Sequence, residues 1–478
     1  MDTSSVKATI DFGDEVRPEA VASPSTPPTR RQGSEPRQSL AGKLAYGGLL
    51  LFIVTYYIRP SDWLPLAGNF PFAKITAFFA VAGFALVLVE RRGISDLPKE
   101  MFVLVLLLGH LCLAVPFAYW RGGSFEVISE FWKVVLVALS LPIAVNTRAR
   151  LRKLLYVQAA AVSIMALLVA TGVGGVVQTE AGKRAVGVLG GVFENPNDFA
   201  FNVALAFPLC FAFLLMTSKP SRKAPWALGL VLMGYTVMTT LSRAGLIALL
   251  VGAVMALWEF GAKGRRLYLI VIAAMVGAAL LMGGQPGRYN DRLETIFDPD
   301  QDPTGSAQER RDLFYRSIDV TLEHPILGVG PGNFQEATLM WRETHNTYTQ
   351  LSSEGGIPAL LFFLVILRLA FVRIRRTQKL VPRKSELSLL ASALRASLAA
   401  FVVGALFSSV AYQFFPYYLI GFASAMHRIA LAEQEQQSSQ TLAEGRSPLN
   451  GAESRALKVL GLPAEVEEEE LGVRKAGD

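Results

Sequence analysis

The sequence predicts an all-α polytopic membrane protein with about twelve transmembrane helices and a long, partly helical loop between the ninth and the tenth. Three observations predict this class. Hydrophobic residues make up 52% of the 478 residues, and charged residues only 18%. The apolar residues fall in blocks of about the length needed to cross ~30 Å of hydrocarbon. Between these blocks, Lys and Arg accumulate on every second connection.

The predicted spans are apolar segments with few charges, separated by short polar connections. They cover residues 44–58, 72–89, 101–119, 132–145, 154–171, 199–216, 226–241, 244–260, 267–282, 348–372, 387–411 and 415–431. The first and the fourth are short for a membrane span. The polar loop of residues 284–346 interrupts this regular series, and a loop of that length between spans indicates a binding or chemical role.

Basic residues indicate the orientation, because short loops rich in Lys and Arg stay in the cytoplasm. The basic clusters are residues 91–92, 148–153, 219–223, 263–266 and 373–384. They share one side, so we expect both termini in the cytoplasm. The loops of residues 172–198 and 284–346 are then expected to face the periplasm or the cell exterior. The net charge of +7 reflects this topology and does not indicate a nucleic-acid partner.

Composition divides the chain into three parts. Residues 1–42 are rich in Pro, Ser and mixed charge, and residues 433–478 are polar, so both are predicted to be disordered cytoplasmic segments. Residues 43–432 form the predicted membrane domain. Cys112 and Cys210 lie inside predicted spans, so the sequence offers no disulfide framework and no cysteine-based metal site.

Two arginines on the predicted outer side are candidate site residues. Arg243 lies at the junction of the seventh and eighth spans, with almost no loop between them. An arginine near hydrocarbon is costly unless it has a partner, so it usually has a specific role. The alternative is a side chain that reaches back to the membrane interface. Arg184 lies in the loop of residues 172–198, ahead of Asn195 and Pro196, which predict a turn and a helix N-cap.

His345 is the candidate for proton transfer. Its unperturbed pKa of about 6.5 suits a general base, and it lies where the long polar loop meets the tenth span. Glu354 follows nine residues later, near the predicted outer end of that span. The alternative role for His345 is a cap at the start of the helix. His110, inside the third span, is expected to be a packed polar residue.

The long loop carries signals of order. Leu313, Ile318 and Leu322 share one helical face, which predicts a surface helix ending near position 324. The next stretch includes Gly330 and Gly332, whose backbone N–H groups are candidate ligands for an anion. The alternative for this stretch is an ordinary turn.

Taken in order, these segments resemble the O-antigen ligase and polymerase superfamily. The resemblance rests on Arg184 followed by Phe-Glu-Asn-Pro-Asn-Asp-Phe-Ala, on Leu-Ser-Arg-Ala-Gly around Arg243, on Arg310, on His-Pro-Ile-Leu-Gly-Val-Gly-Pro-Gly-Asn-Phe, and on His-Asn-Thr-Tyr with Glu-Gly-Gly. It covers residues 184–356 and agrees with the number of predicted spans. No single segment is specific, so the order and the spacing carry the likeness.

The resemblance implies an inverting glycan transferase of the bacterial inner membrane that needs neither metal nor cofactor. The implied donor is a glycan linked to undecaprenyl diphosphate, and the acceptor is a glycan or the lipid A core. Membrane lipids and other polysaccharide-export proteins are the further expected partners.

The resemblance also assigns roles to the candidate residues. Arg184 and Arg243 would stabilise the diphosphate leaving group, because guanidinium groups offset the negative charge that develops on it. His345 would take the proton of the acceptor hydroxyl. The expected substrate-binding residues are Arg310, Glu354, Gly330 and Gly332, with Arg311 or Arg316 as alternatives to Arg310.

The superfamily contains polymerases and ligases, and both use the same kind of donor, so the donor does not distinguish between them. We favour a polymerase of O-antigen or exopolysaccharide repeat units over a ligase that transfers finished glycan to the lipid A core or to a protein. A transporter is an alternative of another class. A carrier of two halves would have its long connection after the sixth span, whereas here it follows the ninth. An inactive scaffold is a third possibility.

Overall fold

The computed structural model describes residues 39–58, 71–90, 97–179, 182–187, 193–261, 306–340 and 342–443. These residues are mostly α-helical. In chain order the helices are α1 (Leu40–Ile58), α2 (Phe72–Glu90), α3 (Lys99–Ala114), α4 (Arg121–Ala144), α5 (Arg148–Ala170), α6 (Pro196–Met216), α7 (Pro220–Thr239), α8 (Arg243–Gly261), α9 (Ser306–Glu323), α10 (Phe334–Thr338), α11 (Thr347–Leu380), α12 (Glu386–Gly404) and α13 (Phe414–Ala443). A short 3-10 helix, Val115–Phe117, extends α3.

Between α5 and α6 the chain forms a small antiparallel hairpin that the sequence did not predict. Its strands are β1 (Val176–Thr179) and β2 (Gly182–Ala185), and Arg184 pairs with Val177 across it. The hairpin is short and lies within a polar loop, so its pattern does not stand out from that of an irregular segment. It nevertheless determines where Arg184 lies.

Eight of the described helices are long and apolar enough to cross a membrane, namely α1, α3 with its 3-10 extension, α4, α5, α6, α8, α11 and α12. The prediction of an α-helical, multi-pass membrane protein is therefore confirmed. The helices α2, α7 and α13 coincide with three more predicted spans. The span predicted at residues 267–282 and most of the terminal segments lie outside the described residues.

Many helix boundaries differ from the predicted spans by several residues, among them those of α4, α12 and α13. Helix α4 begins at Arg121 instead of position 132, because its first turns contain Gly, Ser and Glu and lower the local hydropathy. Helix α12 ends at Gly404 instead of position 411, because the Ala405 and Ser408 carbonyl groups accept hydrogen bonds from Thr347 at the start of α11. Helix α13 continues to Ala443, past the predicted domain limit at 432.

The surface helix predicted in the long loop is present as α9, but the three residues placed on one of its faces differ in burial. Leu313 is fully buried, whereas Ile318 is 36% exposed and Leu322 is 70% exposed. The buried stripe instead continues through small polar residues such as Thr321, whose hydroxyl lies 2.9 Å from Ser352 Oγ on α11. At about 100° per residue, Ile318 and Leu322 lie on the opposite side of the helix from Leu313, so the three residues do not share one face.

Helix α6 lies at the centre of the bundle. In its apolar stretch 94% of the residues are buried, and it packs against α5, α7, α8 and α12. The contact with α8 is especially close, since a Cβ at Gly245 would lie only 2.4 Å from the Cβ of Ala200. Small residues permit such close approach of membrane helices. This packing holds the starts of α6 and α8 together.

The two ends of the bundle differ in chemistry. The first, which we call the site end, contains the β-hairpin and the starts of α4, α6, α8 and α11. At the second, the basic end, buried carboxylates pair with arginines. Arg373 Nε lies 3.1 Å from both carboxylate oxygens of the fully buried Glu100. Arg395 pairs with Glu259 at 2.6 Å. These pairs connect α3, α8, α11 and α12.

Candidate functional site

A break in α11 organises the site end. Gly356 has φ 75° and ψ 175°, which lies outside the helical region. The break frees backbone groups that a continuous membrane helix would pair internally. The glycine-rich stretch of the long loop fills it: Val329 N donates to Ser353 O (2.9 Å), and Ile357 N donates to Pro325 O (2.8 Å). The polar loop is thereby fixed to a membrane helix.

Glycine is required at the break. A Cβ at Gly356 would lie 2.2 Å from Ile326 O, and the positive φ is itself unfavourable for other residues. Next to the break, the carbonyl of Gly355 lies 2.7 Å from His110 Nε2, which donates to it. His110 is therefore the packed polar residue that the sequence suggested, with a specific structural role.

Glu354 holds the glycine-rich stretch in place. Its side chain is only 4% exposed, and its Oε2 accepts a hydrogen bond from Gly332 N at 2.9 Å. Gly330 N donates to the Glu354 carbonyl at 3.0 Å. The N–H groups of Gly330 and Gly332 are thus used within the protein. The stretch is therefore the ordinary turn that was the alternative to an anion site. Its two N–H groups already have acceptors within the protein and do not point to an anion.

His345 lies immediately before α11 in an unusual backbone conformation. Its φ is 51°, in the left-handed region where a non-glycine residue is strained by about 1–3 kcal/mol. The helix is capped by its neighbour Asn346, whose Oδ1 accepts hydrogen bonds from Tyr348 N (2.9 Å) and Thr349 N (3.2 Å). The capping role considered for His345 therefore belongs to Asn346. Strain of this kind is typical of functional positions.

Burial and two nearby arginines control the charge of His345. Burial has the largest effect, and the positive charges of Arg310 and Arg342 add to it, so the pKa of His345 is lowered to about 4. The imidazole is therefore neutral at neutral pH, which is the form that accepts a proton. Two predicted site residues, His345 and Arg310, thus lie in one electrostatic environment.

The structure also distinguishes Arg310 from its two alternatives on α9. The guanidinium of Arg311 lies over the ring of Tyr315, 5.9 Å from its centroid. Arg316 pairs with Glu323 at 3.5 Å. Neither contributes to the lowered pKa of His345, whereas Arg310 does. Arg310 is accordingly the arginine of this helix that belongs to the candidate site.

Arg342 is a residue of this environment that sequence reasoning missed. Its Nε lies 3.0 Å from Glu309 Oε1, which connects the segment before His345 to α9 next to Arg310. Both partners are well exposed, so the ion pair contributes at most about 1 kcal/mol to stability. The pair instead holds the segment before His345 against α9, and the charge of Arg342 acts on His345. The sequence feature that could have indicated Arg342 is its position three residues before His345.

Arg184 connects three elements of the site end. Its Nε donates to Thr240 O at 2.6 Å, and a terminal guanidinium nitrogen donates to Asn197 Oδ1 at 2.8 Å. The planar guanidinium suits such paired donation. The predicted N-cap of α6 is confirmed, since Asn195 Oδ1 accepts from Asn197 N at 2.9 Å. Arg184 therefore joins β2, the end of α7 and the start of α6.

Arg243 is the first residue of α8, directly after a tight turn. Helix α7 ends at Thr239, so the predicted short junction is confirmed. Within the turn Leu241 has a φ of 51°, the second strained position next to a candidate residue. Because Gly245 packs against Ala200, the start of α8 lies beside the start of α6. Arg184 and Arg243 therefore both lie around these two helix starts.

One short segment, residues 405–413 between α12 and α13, joins the arginine side of this end to the histidine side. Ser408 Oγ donates to Asp198 Oδ1 near the start of α6, at 2.9 Å. The Ser408 carbonyl accepts from Thr347 Oγ1 at the start of α11, at 2.6 Å. Ser409 Oγ lies 3.0 Å from Thr344 Oγ1, next to His345. No sequence pattern indicates these hydroxyl contacts, because Ser and Thr occur throughout membrane helices.

The arrangement offers two kinds of chemistry. Guanidinium groups stabilise phosphate oxygens as negative charge develops on them. A half-buried, neutral imidazole accepts a proton. Within the described part of the chain, no group of three or more His, Cys, Asp and Glu side chains is arranged to hold a metal ion.

A comparison with protein families bears directly on this end of the molecule. Residues 228–364 match the family model described as O-antigen ligase. This segment is similar to the O-antigen ligase family. The resemblance that the sequence motifs suggest is thus confirmed over these residues. No curated protein matches the chain significantly.

The matched segment includes most of the candidate site. It begins in α7, ends within α11, and contains Arg243, Arg310, His345 and Glu354. Arg184 precedes it. The helices α1 to α6 also lie outside the match, although α6 forms the centre of the bundle. These findings support a multi-pass membrane protein and an activity of the O-antigen ligase and polymerase type.

Proposed function

We propose that the protein transfers an oligo- or polysaccharide from a polyprenyl diphosphate to an acceptor hydroxyl at the site end of the bundle. The observation that supports this most directly is the match of residues 228–364 to the O-antigen ligase family, because that segment contains Arg243, Arg310 and His345. A site that transfers a glycan from a diphosphate needs both a proton acceptor and fixed cations.

The proposed reaction is a single displacement. The acceptor oxygen attacks the anomeric carbon of the donor sugar while His345 accepts the hydroxyl proton. The bond between that carbon and the diphosphate oxygen breaks, and its electron pair stays on the diphosphate. Attack opposite the leaving group inverts the anomeric configuration. Arg310 and Arg342 lie near the base, and Arg184 and Arg243 would extend the cationic surface toward the starts of α6 and α8.

Glu354, Gly330 and Gly332 have a positioning role in this proposal. Their contacts fix the loop that carries α9, and with it Arg310, against the break in α11. Precise placement of a base and of cations contributes strongly to rate, because the reacting groups then need no rearrangement. The substrate would meet a preformed site, with no metal or cofactor.

The proposal includes an orientation. The basic end would face the cytoplasm, with both termini, and the site end would face the periplasm of a bacterial inner membrane. Supporting this, Arg148, Arg152 and Lys219 lie at the starts of α5 and α7, as expected for helix ends retained on the cytoplasmic side. The lipid-linked donor would then be used on the outer leaflet.

We favour polymerisation, in which the acceptor is a second lipid-linked glycan, over ligation to lipid A core or protein. Deleting the gene and sizing the surface and lipid-linked glycans separates these activities. Glycans that stop at one repeat unit, restored by the wild type and not by His345→Ala, support the polymerase. Long glycans that stay on the polyprenyl carrier support the ligase. Unchanged glycans would contradict both and favour a transporter.

A further inference from the structure

A cavity of about 800 Å³ opens between α5 and α7, next to the end of α6 and toward the basic end of the bundle. We call it the α5–α7 groove. Its walls are apolar and include Ile164, Leu167 and Leu228. Lys219 and Arg222 line it where α7 begins. The groove therefore joins an apolar slot to a cationic mouth.

A second cavity of about 660 Å³ adjoins this mouth. The two cavities share Tyr156, Met216 and Thr217 as lining residues. The second, which we call the basic pocket, is lined by Arg152 and Lys153 of α5 and also by Lys384 and Glu386 at the start of α12. The groove and the basic pocket thus form one continuous surface with an apolar part and a polar part.

The polar part is strongly cationic. The two cavities together are lined by five basic side chains and one carboxylate. That carboxylate, on Glu386, lies 3.3 Å from Arg152 and is already paired. Among the residues that the structure describes, no carboxylate pairs with Lys219 or Arg222. A cationic excess at the end of an apolar groove is complementary to an anionic headgroup with a hydrocarbon chain.

Aromatic rings make the boundary between the two parts rigid. Trp226 is buried and stacks on Phe213, with ring centroids 5.1 Å apart. Tyr156 packs edge-on against Trp226 at 5.0 Å and is 48% exposed. Exposed aromatic residues of membrane helices are typical of the level of the lipid headgroups. Tyr156 therefore marks the height at which a headgroup would meet the protein.

We propose that the α5–α7 groove and the basic pocket together bind one anionic phospholipid. An acyl chain lies in the groove along Ile164 and Leu228, and the phosphate lies among Lys219, Arg222 and Lys153. This site is at the opposite end of the bundle from His345, so its occupant is distinct from the glycan donor. Free inorganic phosphate would leave the apolar groove unfilled, which is why the occupant is a lipid.

The test is native mass spectrometry of the purified full-length protein, titrated with phosphatidylglycerol or with phosphatidylcholine. The test variant is Lys219→Gln with Arg222→Gln. The matched control is Arg375→Gln with Lys379→Gln, two exposed basic residues of α11 that line neither cavity. We expect the test variant to bind phosphatidylglycerol at least about tenfold more weakly than the wild type and the control, because each cation near an anionic headgroup contributes to affinity.

A second variant, Leu228→Trp, tests the apolar part, because it fills the groove without changing charge. It is expected to lower phosphatidylglycerol binding as well. The proposal is overturned if phosphatidylcholine binds the wild type as tightly as phosphatidylglycerol does. It is also overturned if the test variant and the control bind equally, or if millimolar inorganic phosphate displaces the lipid completely. The comparison of the two lipids uses only the wild type, so it remains valid even if a variant does not fold.

Discussion

At the scale of single residues, the state of His345 carries the chemistry. Its strained backbone, its partial burial and the neighbouring Arg342 belong to one short stretch before α11, and Arg310 acts on it from α9. Each feature has a cost in stability, and strained, desolvated residues persist where function requires them. The sequence indicated a histidine at a loop and helix junction, and the structure adds why that histidine is neutral.

The pH dependence of transfer is the first prediction. His345 acts as a base only when it is neutral, and its pKa is lowered to about 4. We therefore expect kcat/KM to stay level as the pH falls from about 7 to about 5, and to decline only near about 4. Steady-state transfer rates over this range measure it. A decline centred near about 6.5, the unperturbed value, would contradict the assignment.

Arg342→Gln gives a second prediction at this site. Arg342 helps to lower the pKa of His345, so removal of its charge raises that pKa and moves the acid decline of kcat/KM to higher pH. Arg316→Gln is the matched control, because Arg316 lies on the same loop, pairs with Glu323 and does not act on His345. An identical shift in both variants would mean that the effect is a general one of net charge.

Arg184→Lys tests the role of the guanidinium fork. Arg184 donates from two nitrogens to Thr240 O and Asn197 Oδ1, and a lysine keeps the charge but not this paired geometry. We expect the melting temperature to fall by an amount equivalent to about 1–3 kcal/mol, with reduced transfer. Lys183→Arg, at the exposed neighbouring position on β2, is the control. An unchanged melting temperature would mean that the hydrogen bonds of Arg184 do not hold α6 and α7 together.

At the scale of elements, the break in α11 determines whether the long loop is in place. Gly356→Ala introduces a Cβ that meets Ile326 O at 2.2 Å, in a backbone conformation unfavourable for alanine. We expect a loss of about 1–3 kcal/mol or more, together with faster proteolysis of residues 306–340. Gly109→Ala in α3 is the control, because a Cβ there meets nothing within 4 Å.

The buried ion pair at the basic end belongs to the same scale. Arg373→Ala leaves the carboxylate of Glu100 buried without its cation, which typically costs about 3–5 kcal/mol. Thermal unfolding in detergent, compared with the exposed Arg375→Ala, measures the effect. The double variant Glu100→Gln with Arg373→Gln removes both charges and is expected to recover part of the loss. A single variant as stable as the control would contradict the role of this pair in holding α3 to α11.

At the scale of the whole molecule, hydropathy predicted the membrane class and the approximate place of the helices. It did not predict the break at Gly356, the end of α12 or the buried face of α9. In each case polar atoms pair across distant parts of the chain, as Thr321 does with Ser352 and Ser408 does with Asp198. Such pairs depend on tertiary packing, and local sequence patterns do not predict them.

The same limit applies to the site. Their places on the predicted outer side indicated Arg184, Arg243 and His345, and the family resemblance indicated Arg310. The interaction of Arg310 with His345 depends on how α9 packs on α11. Local sequence patterns do not predict this packing. Arg342 was missed for the same reason, since its importance comes from the pair with Glu309 that joins two separate segments.

The most direct test of the account is transfer by the purified protein from a synthetic polyprenyl-diphosphate glycan, with released polyprenyl diphosphate and new glycosidic bonds counted together. Wild type and the control His324→Gln should form one bond for each diphosphate released. His345→Ala should be slower by about 10²–10⁴-fold, the range for loss of a general base, with its melting temperature unchanged. Full activity of a folded His345→Ala protein would contradict the account.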